Sequence, residues 1–167
     1  MSLIFVFNLG VRSSSPIVLS GFTGSITMST LLNILNTIEP GLGDKLHATR
    51  GGPKPISVTP FTHDGRVLFR GGDYVVPPGD GLGGFRVTVV GESLGLKLLN
   101  GLDNVRVVRI GNVDASLEVL GVEVHRIDDL WRVGGNRFRI EFLSPVRFAK
   151  RSTMAGGAGL GSTSAQA

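Results

Sequence analysis

The order of apolar runs along this chain predicts an α+β domain in which two helices cover one face of a single antiparallel sheet. Three observations carry that expectation. Short runs rich in β-formers recur between glycine and proline clusters, two stretches place leucine and isoleucine at helical spacing, and several runs alternate apolar with polar residues as half-buried strands do. At 167 residues the chain is long enough for one domain with a real core and short for two.

Residues 3–9 (LIFVFNL), closed by Gly10, read as a buried central strand. A Ser/Gly-rich loop follows. Thr27 or Ser29 then caps a helix in which Leu31, Leu32, Ile34, Leu35 and Ile38 recur at helical spacing, and Pro40 ends it. Residues 41–48 add a short turn with His47 at its end, before a glycine and proline turn at Gly51, Gly52 and Pro53. Residues 55–61 (PISVTPF) carry prolines at both ends, as an edge strand tolerates, and residues 67–69 supply a hairpin partner. A Gly/Pro-rich loop over 76–84 leads to 85–90 (FRVTVV), a half-buried strand. Residues 92–100 read as a leucine helix stopped by Gly101. Extended segments follow at 105–110, 116–127 and 137–142 (RFRIEF), the last with Phe138, Ile140 and Phe142 alternating against Arg137, Arg139 and Glu141. From Met154 the sequence has no periodicity. The expected organisation is one domain over 1–151 and a disordered Gly/Ser-rich tail over 152–167. The element order is βαββαβ with extra hairpins, the ferredoxin-like pattern.

Composition narrows the partners. No apolar stretch approaches the roughly 20 residues that span a bilayer, and the N-terminus lacks the basic region and cleavage site of a signal peptide, so a cytoplasmic protein without a membrane partner is expected. With no cysteine, and with His47, His63 and His125 scattered, neither a disulfide nor a structural metal is expected. Formal net charge is +4 with a pI near 10.1, and lysine appears only at positions 45, 54, 97 and 150. Arginine forks suit phosphates, which inclines the reading toward a polyanionic partner.

Gly79, Gly81 and Gly84 satisfy G-x-G-x-x-G but lead into a strand, so no helix N-terminus receives a pyrophosphate and no dinucleotide site is expected. GGAGLGST in the tail lacks the lysine of a phosphate loop. GESLG at 91–95 matches a nucleophile elbow, and Ser93, Asp114 and His125 stand in hydrolase chain order, which keeps a serine hydrolase as an alternative to a strand-to-helix turn of small residues. His47 lies close in sequence to Lys45, Arg50 and Lys54. An imidazole there suits proton transfer near neutral pH, with the cations stabilising a phosphorane-like transition state; the structural alternative is a helix-terminal histidine capping carbonyls. Arg66, Arg70 and Arg86, with the closing run Arg147, Lys150 and Arg151, are candidate phosphate contacts if one sheet face gathers them.

Three local patterns resemble the CRISPR repeat-processing endoribonuclease family, built from ferredoxin-like, RAMP-type domains. They are LH and a basic turn running into KPISVTPF, the stretch GGFRVTVVGESLGLKLL, and FRIEFLSPVRF. The resemblance covers nearly the whole chain up to Lys150 and corresponds to the N-terminal of the two ferredoxin-like domains that typical members carry. It implies cleavage of CRISPR repeat RNA in antiviral defence, without metal or cofactor, by attack of a 2′-hydroxyl to give 2′,3′-cyclic phosphate and 5′-hydroxyl ends. His47 then stands where the family has its helix-end acid or base, and Lys54, with Lys45, stabilises phosphate charge. Arg50, Arg66, Arg70, Arg86, Arg147, Lys150 and Arg151, read from the basic residues themselves, are the expected RNA contacts. The family's helix tyrosine has no counterpart, since Tyr74 lies in another segment. The implied partners are repeat RNA together with a second domain, a second copy or other effector subunits, and a non-catalytic RNA-binding subunit of the same fold is the alternative.

Overall fold

The computed structural model describes residues 3–48, 54–68, 70–79 and 83–130. In chain order the elements are β1 (Leu3–Arg12), β2 (Ile17–Phe22), α1 (Thr23–Ile38), α2 (Leu42–Ala48), β3 (Ile56–Val58), β4 (Thr62–His63), β5 (Arg66–Val67), β6 (Arg70–Val76), β7 (Gly83–Val90), α3 (Glu92–Leu102), β8 (Val107–Ile110), β9 (Val113–Arg126) and α4 (Ile127–Leu130).

β1 is the centre of the molecule. It pairs antiparallel with β7 on one side and with β9 on the other, while β3 pairs antiparallel with the far edge of β7. Taking β1, α1, β3, β7, α3 and β9 as the core elements gives the ferredoxin-like βαββαβ order, with β9 and β7 flanking β1 and β3 outermost. The extra pieces hang on this frame. β8 pairs with the start of β9, and the β4–β5 hairpin extends the β7 edge beyond β3. That hairpin turns at Asp64 and Gly65, both with positive φ (47° and 72°), the backbone form a two-residue hairpin needs.

Side-chain alternation in β1 decides which face is covered. Phe5, Phe7, Leu9 and Val11 are buried, as are their β7 neighbours Val89, Val87 and Phe85. Leu31, Ile34 and Leu35 of α1 and Leu98 and Leu102 of α3 complete the same core cluster. The even-numbered residues of β1 and β7, among them Asn8, Arg86 and Thr88, point to the opposite face of the sheet.

Several sequence expectations shift. The segment expected as a Ser/Gly loop contains β2, which pairs with β6 in a separate two-stranded sheet. β6 also takes in Val76, and β7 begins at Gly83, so the expected 76–84 loop is shorter. α1 starts at Thr23 behind Phe22, which makes no side-chain cap bond, so neither Thr27 nor Ser29 is the cap. Both lie within the helix, and the Thr27 hydroxyl donates to the carbonyls of Gly24 and Thr59. Gly101 lies inside α3, because Ile38 of α1 packs where its side chain would be and that contact holds the last turn helical. The expected strand over 137–142 and the tail over 152–167 lie outside the described residues. No helix among the described residues is long and apolar enough to cross a membrane.

Candidate functional site

α2 is fastened to α1 by a close approach. The Gly43 backbone N–H donates to Asn36 Oδ1 at 2.7 Å, Asn36 Nδ2 donates to Asp44 Oδ1 at 3.2 Å, and a side chain at position 43 would run into the Leu32 carbonyl. Only glycine permits that contact. Leu42 and Leu46 pack against the core, which leaves His47 exposed in the last turn. His47 is thus open to solvent and not sealed within apolar packing.

Lys54 sits just before β3, and its Nζ donates to the His47 backbone carbonyl at 3.2 Å. A lysine on the last carbonyls of a helix is a C-terminal cap, and its remaining two N–H groups stay available to an anion. Lys45 is two residues from His47 on the same helix, so the two project roughly 200° apart. Lys45 instead adds to the field at Glu39, whose carboxyl is held below its usual range mainly by the hydrogen bond from Lys97, with the charges of Lys97 and then Lys45 helping and desolvation opposing. The structure therefore brings His47 and Lys54 together and places Lys45 elsewhere.

The rest of the site is a sheet end. Val90 N–H donates to the Pro55 carbonyl, Gly91 N–H donates to the Leu3 carbonyl, and Leu3 stands opposite Arg126. Four chain segments thus end in one row, spanning about 14 Å from Pro55 to Arg126 at ordinary strand spacing. His125 stands opposite Ile4 at this end, with Nε2 3.3 Å from Glu123 Oε2, and Arg126 Nε lies 4.0 Å from Asp129. The sequence alone does not place His125 and Arg126 at this sheet end. Only the register of β9 on β1 does so, and the one local signal was the strand's alternation.

The remaining candidates disperse. Arg86 lies on the uncovered sheet face, where its Nε donates to Asn8 Oδ1 at 2.9 Å. Arg66 is exposed on the β4–β5 hairpin opposite His63, on the side of the pleat away from Thr62, which pairs with Gly84. Arg70 pairs through its backbone with Phe22 in the two-stranded sheet. One sheet face therefore does not gather the three arginines. Arg50, Arg147, Lys150 and Arg151, and the side chain of Arg70, lie outside the described residues.

The hydrolase constellation is overturned. Asp114 and His125 stand at opposite ends of β9, about 36 Å apart along an extended strand, so no triad with Ser93 forms. The GESLG turn is the strand-to-helix junction of β7 and α3, with Gly91 at φ 118°. Gly84, the last glycine of the G-x-G-x-x-G pattern, lies in strand β7, so the pattern meets a strand and not a helix, as the sequence predicts.

No protein-family model matches the chain. No curated protein matches it in sequence. Among solved structures it is similar to one described as CRISPR associated protein Cas6, at 15% identity and a TM-score of 0.48, covering 76% of this chain and 50% of that one. It is also similar to the product of a Cas6-related gene from Pyrococcus furiosus, at 12% identity and a TM-score of 0.45, covering 75% of this chain and 49% of that one. The chain thus spans about half the length of each of these two solved chains.

Proposed function

We propose that this chain is an RNA-processing unit of the CRISPR repeat endoribonuclease kind, with His47 as its proton-transfer group and Lys54 as its phosphate-charge stabiliser. The observation that carries the reading is the exposed His47 at the end of α2 with the Lys54 ammonium on its carbonyl. A phosphodiester laid across this sheet end would meet an imidazole and a cation together. Those are the two groups that attack by a 2′-hydroxyl requires: one to move the proton, one to offset charge developing on the phosphate oxygens. The products are then a 2′,3′-cyclic phosphate and a 5′-hydroxyl, with the 2′-oxygen to phosphorus bond formed as the 5′-oxygen to phosphorus bond breaks.

The test is incubation with repeat RNA in EDTA followed by end-group analysis. His47→Ala is expected to reduce cleavage on the order of 10²- to 10⁴-fold while leaving RNA affinity within about twofold. Cleavage by the variant at the native rate would end the catalytic assignment.

A non-catalytic binding subunit of the same fold is the second reading, and the position of the tyrosine favours it. Tyr74 lies in β6, paired with Leu19 in the two-stranded sheet, so α1 and α2 supply no phenol beside His47. In that case native protein binds repeat RNA with a steep loss of affinity in salt and yields no cyclic phosphate. A second domain, a second copy or an effector subunit is then the cutting partner.

A further inference from the structure

The uncovered face of the sheet holds a groove of about 340 Å³, lined by Asn8, Thr59, Thr62, Gly84, Arg86 and Leu120 among others. Asn8 and Arg86 stand directly opposite each other on β1 and β7. The Arg86 Nε–H donates to Asn8 Oδ1 at 2.9 Å, which fixes the plane of an exposed guanidinium. Its two Nη groups make no hydrogen bond or ion pair among the described residues. Among the described residues the nearby carboxylates of the same face are already engaged, Glu118 by Arg12 at 3.5 Å and Glu123 by His125 at 3.3 Å. Arg86 therefore presents an oriented, uncompensated fork of donors.

The surroundings say which part of a nucleotide that fork suits. Sheets that read bases do so by stacking them on aromatic side chains. Here Phe5, Phe7 and Phe85, the phenylalanines of β1 and β7, are 3% exposed or less and point into the core. Beside the arginine the floor is Gly10 opposite Gly84, which carries no side chain to read a base edge. The Thr59 hydroxyl accepts from the Arg86 backbone N–H, and the Thr62 hydroxyl donates to the Gly84 carbonyl, so both fasten the edge. What is left among the described residues is a planar guanidinium without a stacking platform, and its natural partner is an oxyanion.

We infer that Arg86, positioned by Asn8, binds a backbone phosphate of single-stranded RNA in this groove, a contact blind to base sequence. The inference rests on the RNA-processing reading above and extends it to a second place on the domain. Arg86 lies four residues along β7 from Val90, about 13 Å from the sheet end that carries His47 and Lys54. An RNA strand anchored at Arg86 runs along β7 toward that end.

The test measures the affinity of the full chain for repeat RNA and for an unrelated single strand of equal length, across a salt series. Arg86→Ala is expected to weaken both RNAs by the same factor, roughly tenfold, and to reduce the slope of log K against log salt by about 0.7. Arg86→Lys keeps that slope. Asn8→Asp, which sets a carboxylate against the guanidinium, behaves like Arg86→Ala, and thermal unfolding confirms that each variant folds. A loss confined to one RNA would make Arg86 a base reader, and an unchanged slope in Arg86→Ala would remove the contact; either overturns the inference and leaves the RNA reading standing. Native protein that binds neither RNA overturns both.

Discussion

Thr23 shows how much one buried hydroxyl holds here. It is 2% exposed at the first position of α1, where its Oγ1 donates to the Leu68 carbonyl and accepts from the Phe61 N–H at 3.1 Å. Two residues that flank the β4–β5 hairpin are thereby tied to the start of the helix. Thr23→Val keeps the shape but leaves a buried N–H and a buried carbonyl without a partner, which costs about 1–3 kcal/mol. Denaturant unfolding should show that loss, with Thr23→Ser close to native; a valine variant as stable as native would mean that water replaces the hydroxyl. Thr27 and Thr30 repeat the device further along the helix, donating to the carbonyls of Thr59 and Arg109. None of this is legible in the sequence, because the partners that tie these hydroxyls to other elements lie 32 to 79 residues away. A threonine near a helix start reads locally as a cap, which is how Thr27 was expected to act. Likewise His47 is legible as a helix-end histidine, whereas the pairing of Glu39 with Lys97 depends on where α3 meets the end of α1.

At the scale of elements, α1 and α3 are joined by close packing and by charge. A side chain at Gly95 would strike the Phe5 ring, and one at Gly101 would strike Ile38. Glycine lowers helix propensity by about 1 kcal/mol relative to alanine, yet both lie within α3, because packing onto β1 and α1 outweighs the local preference. Gly95→Ala should therefore destabilise by about 1–3 kcal/mol despite its better propensity, and a gain in stability would show that the Phe5 ring moves aside freely. Charge joins the same helices where the Lys97 ammonium donates to the Glu39 carboxylate at the C-terminal end of α1. The Glu39 carboxyl is lowered chiefly by that bond, so its stabilising effect is present above the ordinary carboxylate range and disappears as pH falls through the lowered value. Glu39→Gln should be less stable than native at neutral pH and indistinguishable from it in strong acid. A difference independent of pH would assign the effect to shape instead of charge. β1 was legible as an apolar run of β-formers closed by glycine, and β7 because its alternation survives in the sequence. β2 was not, since IVLSGF is short and its partner, RGGDYVV, carries two glycines that weaken the strand signal.

For the molecule as a whole, one sheet end is built by topology. Because β1 lies between β7 and β9, the residues preceding β3, the turn into α3 and the end of β9 all arrive beside Leu3. The same frame divides the described residues into a main sheet paired through its centre and a two-stranded sheet whose strands, among those residues, pair only with each other. A pair of strands alone is marginal in water, so the β2–β6 ribbon relies on the residues it inserts into the core. Ile17, Leu19 and Val76 are buried, while Val18 and Val75 on the opposite side are half exposed. Anchoring on one side leaves the ribbon able to open without breaking any β1–β7 or β1–β9 hydrogen bond. Amides of β2 and β6 are therefore expected to exchange with deuterium faster than those of β1 and β7, by a local opening that leaves the main sheet intact. Thr23 begins α1 directly after β2, so Thr23→Val should speed exchange in the ribbon more than in β1. Equal exchange across both sheets, in native protein and in the variant, would mean that the two open only together.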